Sequence, residues 1–122
     1  MNVLLGIAGS EESDDALRET VERAGEAGDD LTVAILEGAD HDRSPDDLES
    51  QARAMIDEAG LDASIRRVSG DPGSELVEIA ERGEFDRLVI GGGQRSPMGK
   101  IQLGSITEFV LLNAQVSVTL VR

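Results

Sequence analysis

Apolar positions along this chain follow two rhythms that trade places. Unbroken runs such as N-V-L-L-G-I (Asn2–Ile7) and L-T-V-A-I-L (Leu31–Leu36) predict strands buried on both faces of a parallel sheet. Between them Leu17, Val21, Ala24 and Ala27 recur at helical spacing. Ser10 reads as the N-cap of that helix, with Glu11, Glu12, Asp14 and Asp15 in the first turn and Gly28 as its stop. Ser44-Pro45-Asp46-Asp47 starts a second helix, with the stripe Leu48, Ala52, Met55, Ile56 and Ala59 and a stop at Gly60.

Ala63–Val68 is a more polar strand, as expected at a sheet edge. The turn Gly70-Asp71-Pro72-Gly73 leads into a third helix, whose inner face is Leu76, Val77, Ile79 and Ala80 and whose stop is Gly83. A fourth strand, Asp86–Ile90, runs into the glycine-rich loop. Ser105 begins the last helix, Glu108 completes a capping box, and Ile106, Val110 and Leu111 can pack inward. Val116–Val121 closes the chain with an alternating strand.

The resulting order is β-α-β-α-β-α-β-α-β. It predicts an α/β, doubly wound, Rossmann-like domain over residues 1–122, with a five-stranded parallel sheet and helices on both faces. Ligands of such sheets sit beyond the carboxyl ends of the strands, where strand order reverses. The connections Ala8-Gly9-Ser10 and Gly91–Ser105 both leave strand ends and can share that crevice.

Composition narrows the partners. The chain carries 25 acidic and 11 basic residues, a formal net charge of −14. Such a field repels nucleic acid and anionic membranes. Acids spread over every predicted helix suit a halophilic, solvated surface whose self-repulsion is screened by salt. No apolar run is long enough to span a membrane and no signal peptide is legible, so the expected location is cytoplasmic. With no cysteine, disulfides, zinc–thiolate sites and cysteine nucleophiles are excluded. His41 has no second histidine to join it and reads as a solvated loop residue, and the pairs Asp14-Asp15, Asp29-Asp30 and Asp46-Asp47 read as caps and surface. No catalytic triad, dyad or metal centre is legible.

The candidate chemistry lies in V-I-G-G-G-Q-R-S-P-M-G-K-I-Q-L-G-S-I-T, residues 89–107. Glycines let backbone N–H groups approach a ligand, and a helix start adds unpaired donors and partial positive charge. Arg95 and Lys100, the chain's only lysine, add cationic side chains, so the loop predicts an anion site with phosphate the natural ligand. The known phosphate loops do not fit. Gly99-Lys100 lacks the first glycine and the hydroxyl of a Walker A motif, because Gln94 and Ile101 stand there. Ser96 occupies the third glycine position of a dinucleotide fingerprint, and Ala8 ends the first strand where a phospho-receiver domain has acids.

The chain resembles the universal stress protein family from end to end. The likeness rests on an apolar first strand with G-S, the G-D-P turn, the run F-D-R-L-V-I-G, and G-S-I-T-E. The family's nucleotide-binding members carry G-x2-G-x9-G-[ST] after the fourth strand, which places Gly91 first and Gly104-Ser105 last. Two positions depart. Gln94 replaces the second glycine, with Gly92 and Gly93 beside it, and Ala8 replaces an acid that helps hold the ribose or a metal ion. The resemblance implies a stress-response module binding ATP or AMP. It sets triphosphate on Gly91, Gly92, Gly93, Gln94, Arg95, Ser105, Ile106 and Thr107, and adenine beside the Leu36 backbone. Ala8 speaks against Mg²⁺ assistance, and Arg95 and Lys100 can neutralise phosphate directly. The resemblance also implies a homodimer paired through Val116–Val121. A dimeric interaction or chaperone-like module without nucleotide, and a nucleotide hydrolase or transferase, are the alternatives.

Overall fold

The computed structural model describes residues 1–8, 11–37, 43–91, 94–95, 101–102 and 104–121, with the backbone alone at 11–12, 94–95 and 101–102. Strands β1 (Asn2–Ile7), β2 (Asp30–Leu36), β3 (Ser64–Val68), β4 (Arg87–Gly91) and β7 (Ser117–Val121) form one parallel sheet in the order β3-β2-β1-β4-β7. Helices α1 (Glu11–Ala27), α2 (Pro45–Glu58), α3 (Pro72–Arg82) and α4 (Ser105–Asn113) make the connections. The expected doubly wound architecture is therefore the observed one.

Right-handed crossovers decide which helix lies on which face. The chain steps outward from β1 to β2 to β3, so α1 and α2 share a face. There Leu5, Leu17, Val33 and Ile56 meet in one core. It then returns past β1 to β4, and α3 and α4 take the opposite face, over Leu4, Ala34, Leu76, Leu88 and Val110. Gly6 is required at that crossing. A Cβ there would come within 2.6 Å of Leu76, so only hydrogen lets α3 lie this close to β1.

Helix ends follow the predicted chemistry with three exceptions. The Ser44 side chain accepts from the Asp47 N–H at 3.1 Å, and Gly28 and Gly60 end α1 and α2 with φ of +70°. Pro72 and Gly73 belong to the first turn of α3, which Asp71 caps by accepting from the Ser74 N–H at 3.0 Å. At the other end of α3 Gly83 is the C-cap, as expected of its stop, but the left-handed residue is Glu84, φ +54°, and not Gly83, φ −80°. Gly83 is needed for room, since a Cβ on it would meet Phe85 at 2.6 Å and the Ile79 carbonyl at 2.9 Å.

The third exception is α4. Its N-cap is Gly104 and Ser105 is the first helical residue, so the expected Ser105–Glu108 capping box does not form. Buried positions on α4 are Thr107 and Val110, while Leu111 is 40% exposed, because a short helix turns its 107/110/114 face inward. On α1 the inward face is likewise Ser13, Ala16, Leu17, Thr20, Val21 and Ala24, and Ala27 is exposed. Ser10 and His41 lie outside the described residues.

Candidate functional site

Strand order reverses between β1 and β4, which pair in parallel with Gly6 opposite Ile90. One residue further along, Ile7 and Gly91 leave the sheet side by side, with Ala8 next. On the other flank Ile7 is opposite Ile35, which sets Ala8 beside Leu36. Ala8, Leu36 and Gly91 therefore meet at the carboxyl edge of the sheet, at the switch point where ligands of this architecture bind. The Leu36 side chain is buried on the α3/α4 face, so backbone alone is what Leu36 presents at the rim.

The long connection after β4 has internal structure that sequence patterning did not predict. Gln94–Arg95 (β5) and Ile101–Gln102 (β6) pair antiparallel, Gln94 with Gln102 and Arg95 with Ile101. Gly104 caps α4 in an extended conformation, φ −69° and ψ 162°, and makes no side-chain cap hydrogen bond. The first N–H groups of a helix have no partner within it, and no Gly104 side chain fills the space in front of them. Ser105 is exposed there and Ile106 half-buried. Thr107 is 4% exposed, so it can offer a ligand its backbone N–H but not its hydroxyl.

On the β1 side, Ala8 differs from expectation in one respect. Its N–H donates to the Ser13 hydroxyl at 3.2 Å, and Ser13 is 3% exposed. The Ala8 methyl packs against the α3/α4-face core, and its backbone donor is kept for the protein. Beside Ser13, the carboxylate of Asp14 accepts from Arg43 Nη1 at 2.7 and 2.9 Å and from Gln51 Nε2 at 3.4 Å. The expected solvated surface is thus corrected at two places, where Asp14 pairs with Arg43 and Asp29 with the N-terminal amine at 3.6 Å. Asp46 pairs with Arg67 but stays on the surface, in the first turn of α2, as expected. Sequence reasoning missed Ser13, Asp14 and Arg43, and in a chain this rich in acids nothing local marks Asp14 out.

The structure gathers Ala8, Leu36, Gly91, Gly104, Ser105, Ile106 and Thr107 at one edge and places the backbone of Gln94 and Arg95 in β5. Gly9, Ser10, Gly92, Gly93 and Lys100 lie outside the described residues. Among the described residues no group of three or more His, Asp or Glu side chains is placed to hold a metal ion, and no helix is long and apolar enough to cross a membrane.

The chain is similar over 72 residues, at 32% identity, to a universal stress protein of Methanocaldococcus jannaschii. That match covers 59% of this chain and 42% of the relative, so the chain spans less than half the length of the curated relative it matches. Among solved structures, a universal stress protein of Archaeoglobus fulgidus superposes with a TM-score of 0.78 at 24% identity, covering 100% of this chain and 98% of the other. A universal stress protein in complex with cAMP gives 0.75 at 22% identity, covering 100% and 97%. An Arabidopsis thaliana member with AMP bound gives 0.72 at 16% identity, covering 99% and 90%. These likenesses establish the fold. The universal stress protein family model matches residues 1–122. The chain belongs to the universal stress protein family.

Proposed function

We propose that this chain is a regulatory module that binds an adenine nucleotide, AMP or ATP, in the crevice between the Ala8–Ser10 turn and the Gly91–Thr107 connection. The observation that carries the reading is the start of α4. It lies where the chain returns from β4, is capped by Gly104 without a side-chain bond, and has an exposed Ser105. Family membership supports it, and two of the similar structures hold cAMP and AMP. Phosphate meets backbone N–H groups of Gly91–Gly93 and Ser105–Thr107, with Arg95 and Lys100 supplying charge. Adenine lies toward the Leu36 backbone. With Ala8 in place of a carboxylate, binding needs no Mg²⁺.

Calorimetric titration with AMP, cAMP and ATP, with and without Mg²⁺ in concentrated salt, tests this. Binding equal in the presence and absence of metal, and weakened in Lys100→Ala and Arg95→Ala, is the expected result. No binding of any of the three at millimolar nucleotide overturns the reading, and steady turnover above background would make the protein an enzyme instead.

A second proposal concerns the partner. β7 is an edge strand, and the helix leading into it exposes Phe109, Leu111 and Leu112 by 37%, 40% and 80%. We infer that two copies pair through Val116–Val121, burying this apolar surface. If nucleotide fails to bind, a dimeric interaction module is what this observation leaves.

A further inference from the structure

We propose that the chain holds a second small-molecule site, on the α1 face of the sheet, and that its ligand is a small aliphatic carboxylate. Arg87 and Arg23 take the carboxylate, the Thr20 hydroxyl adds a hydrogen bond, and the tail lies on buried valines. The site is independent of the nucleotide reading, since none of these residues belongs to the crevice.

α1 connects two parallel strands, so it runs from the carboxyl edge of the sheet back toward the amino edge. It packs over β1, β4 and β7. Between its second half and those strands lies a groove of about 430 Å³, the space open to solvent included, floored by the buried Val3, Val89 and Val121. That volume falls within the range of small-molecule sites.

Three polar side chains lining this groove lack partners. Arg87 opens β4, in line with Val89 on the α1 face, and has Val3 opposite it on β1 and Ser117 on β7. β4 is flanked on both sides, so Arg87 is half-buried in a strand that is otherwise apolar. Arg23 stands on α1 three residues after Thr20, on the same side of the helix. Among the described residues neither guanidinium is in an ion pair, whereas Arg18, Arg43, Arg67 and Arg82 all are. Arg53 and Arg66 are unpaired too, but both are exposed. Thr20 is the third. It is 6% exposed, and its hydroxyl has no hydrogen bond among the described residues. No enclosed polar side-chain atom of those residues is left without a partner, so this hydroxyl reaches the open space of the groove.

The acids on the rim leave a net positive charge. Asp29 already holds the N-terminal amine at 3.6 Å, and Glu19 is exposed. Two guanidinium groups beside an apolar floor match a carboxylate with a short hydrocarbon tail, the planar forks taking its oxygens and the valines its tail. An inorganic anion gains nothing from the valines, and an ammonium ion on the same tail is repelled by the arginines.

Methyl-resolved NMR of the nucleotide-free protein tests this, with isovalerate, isopentylamine and inorganic phosphate titrated separately to tens of millimolar in concentrated KCl. Isovalerate is expected to shift the methyls of Val3, Val89 and Val121. Arg87→Met and Arg23→Met keep the aliphatic stems, and the first should weaken isovalerate binding at least about tenfold and the second less. Thr20→Val keeps the shape and should weaken it about threefold without lowering Tm, because the hydroxyl it removes has no partner in the fold. Absence of shifts at these valines with isovalerate overturns the proposal. So do equal shifts from isopentylamine or phosphate, and so do Arg87→Met and Thr20→Val variants that both bind isovalerate like the wild type. Valine methyl shifts that follow protein concentration with no ligand present put a second copy in the groove, which overturns it as well.

Discussion

At one edge of the sheet β3 exposes Arg66 and Arg67, and at the other β7 presents Val118, Thr119 and Leu120, all half-buried. The β3 edge is saturated by charge. Arg67 is paired with Asp46, Glu49 at 3.0 Å and Glu37 at 3.9 Å, which join β3 to the start of α2 and the end of β2. Hydrogen bonds donated to Asp46 and then to Glu49 hold the Arg67 guanidinium pKa above its ordinary value. Among the described residues, β7 itself carries no cation. On the α1 face, Thr119 and Val121 line a groove with Val89 and Arg23, and the helix before β7 exposes Leu112. Charged edge strands discourage pairing with another chain, and apolar ones invite it. The contrast is the one the proposed pairing of two copies through β7 calls for, with β3 closed within the chain by its own acids.

The largest expected effect comes from making β7 resemble β3. Thr119→Lys combined with Leu112→Glu should weaken self-association at least about thirtyfold, turning a dimer into a monomer by light scattering. Circular dichroism should show the fold intact. A wild type that is monomeric in concentrated salt would remove the basis of the comparison. Next in size is the reverse experiment at β3. Arg67→Met leaves three carboxylates together without their cation, and Tm should fall most at low salt and least at high salt. A Tm independent of salt in this variant would show that the acids around Arg67 do not depend on it.

The crossover between the two halves of the sheet, α3, gives two smaller tests. The Ser74 backbone N–H, then its side chain, lowers the pKa of Asp71 from its ordinary value. The folded state thus favours the ionised cap. Its contribution is fully present above the ordinary carboxylate range and is lost as pH falls through the lowered value. Asp71→Asn should flatten that acid limb of a Tm-against-pH curve, and an unchanged limb would contradict the cap. Smallest is Glu84→Gly, which relieves a left-handed residue and should stabilise by about 0.5–1 kcal/mol in denaturant melts. Gly83→Ala should act in the opposite sense, because Phe85 and the Ile79 carbonyl occupy the space of its Cβ.

Much of the fold was legible in the sequence, and for local reasons. Within the strand Asn2–Ile7, the run Val3–Ile7 has no polar position to put in water, which marks an interior strand. Ser44-Pro45 and the glycines Gly28 and Gly60 state helix ends in backbone chemistry that acts within a few residues. The candidate crevice was legible in outline because Gly91 and Gly104 sit at fixed places relative to β4 and α4. Its details were not. Whether Gly104 or Ser105 caps α4 is a one-residue choice between two permissible starts, decided by which face of the helix buries Thr107 and Val110. The β5–β6 ladder is two residues per strand, too short for any pattern.

Sequence alone determined the alternation of strands and helices, the parallel sheet and the edge character of β3, since each follows from periodicity and from groups that act on near neighbours. Tertiary structure alone decided that Ser13 takes the Ala8 N–H, that Asp14 meets Arg43, and that Glu84 rather than Gly83 turns left-handed. Each of those depends on what lies across a gap in space rather than along the chain. Where 25 acids are spread over 122 residues, only the fold shows which carboxylate has a partner.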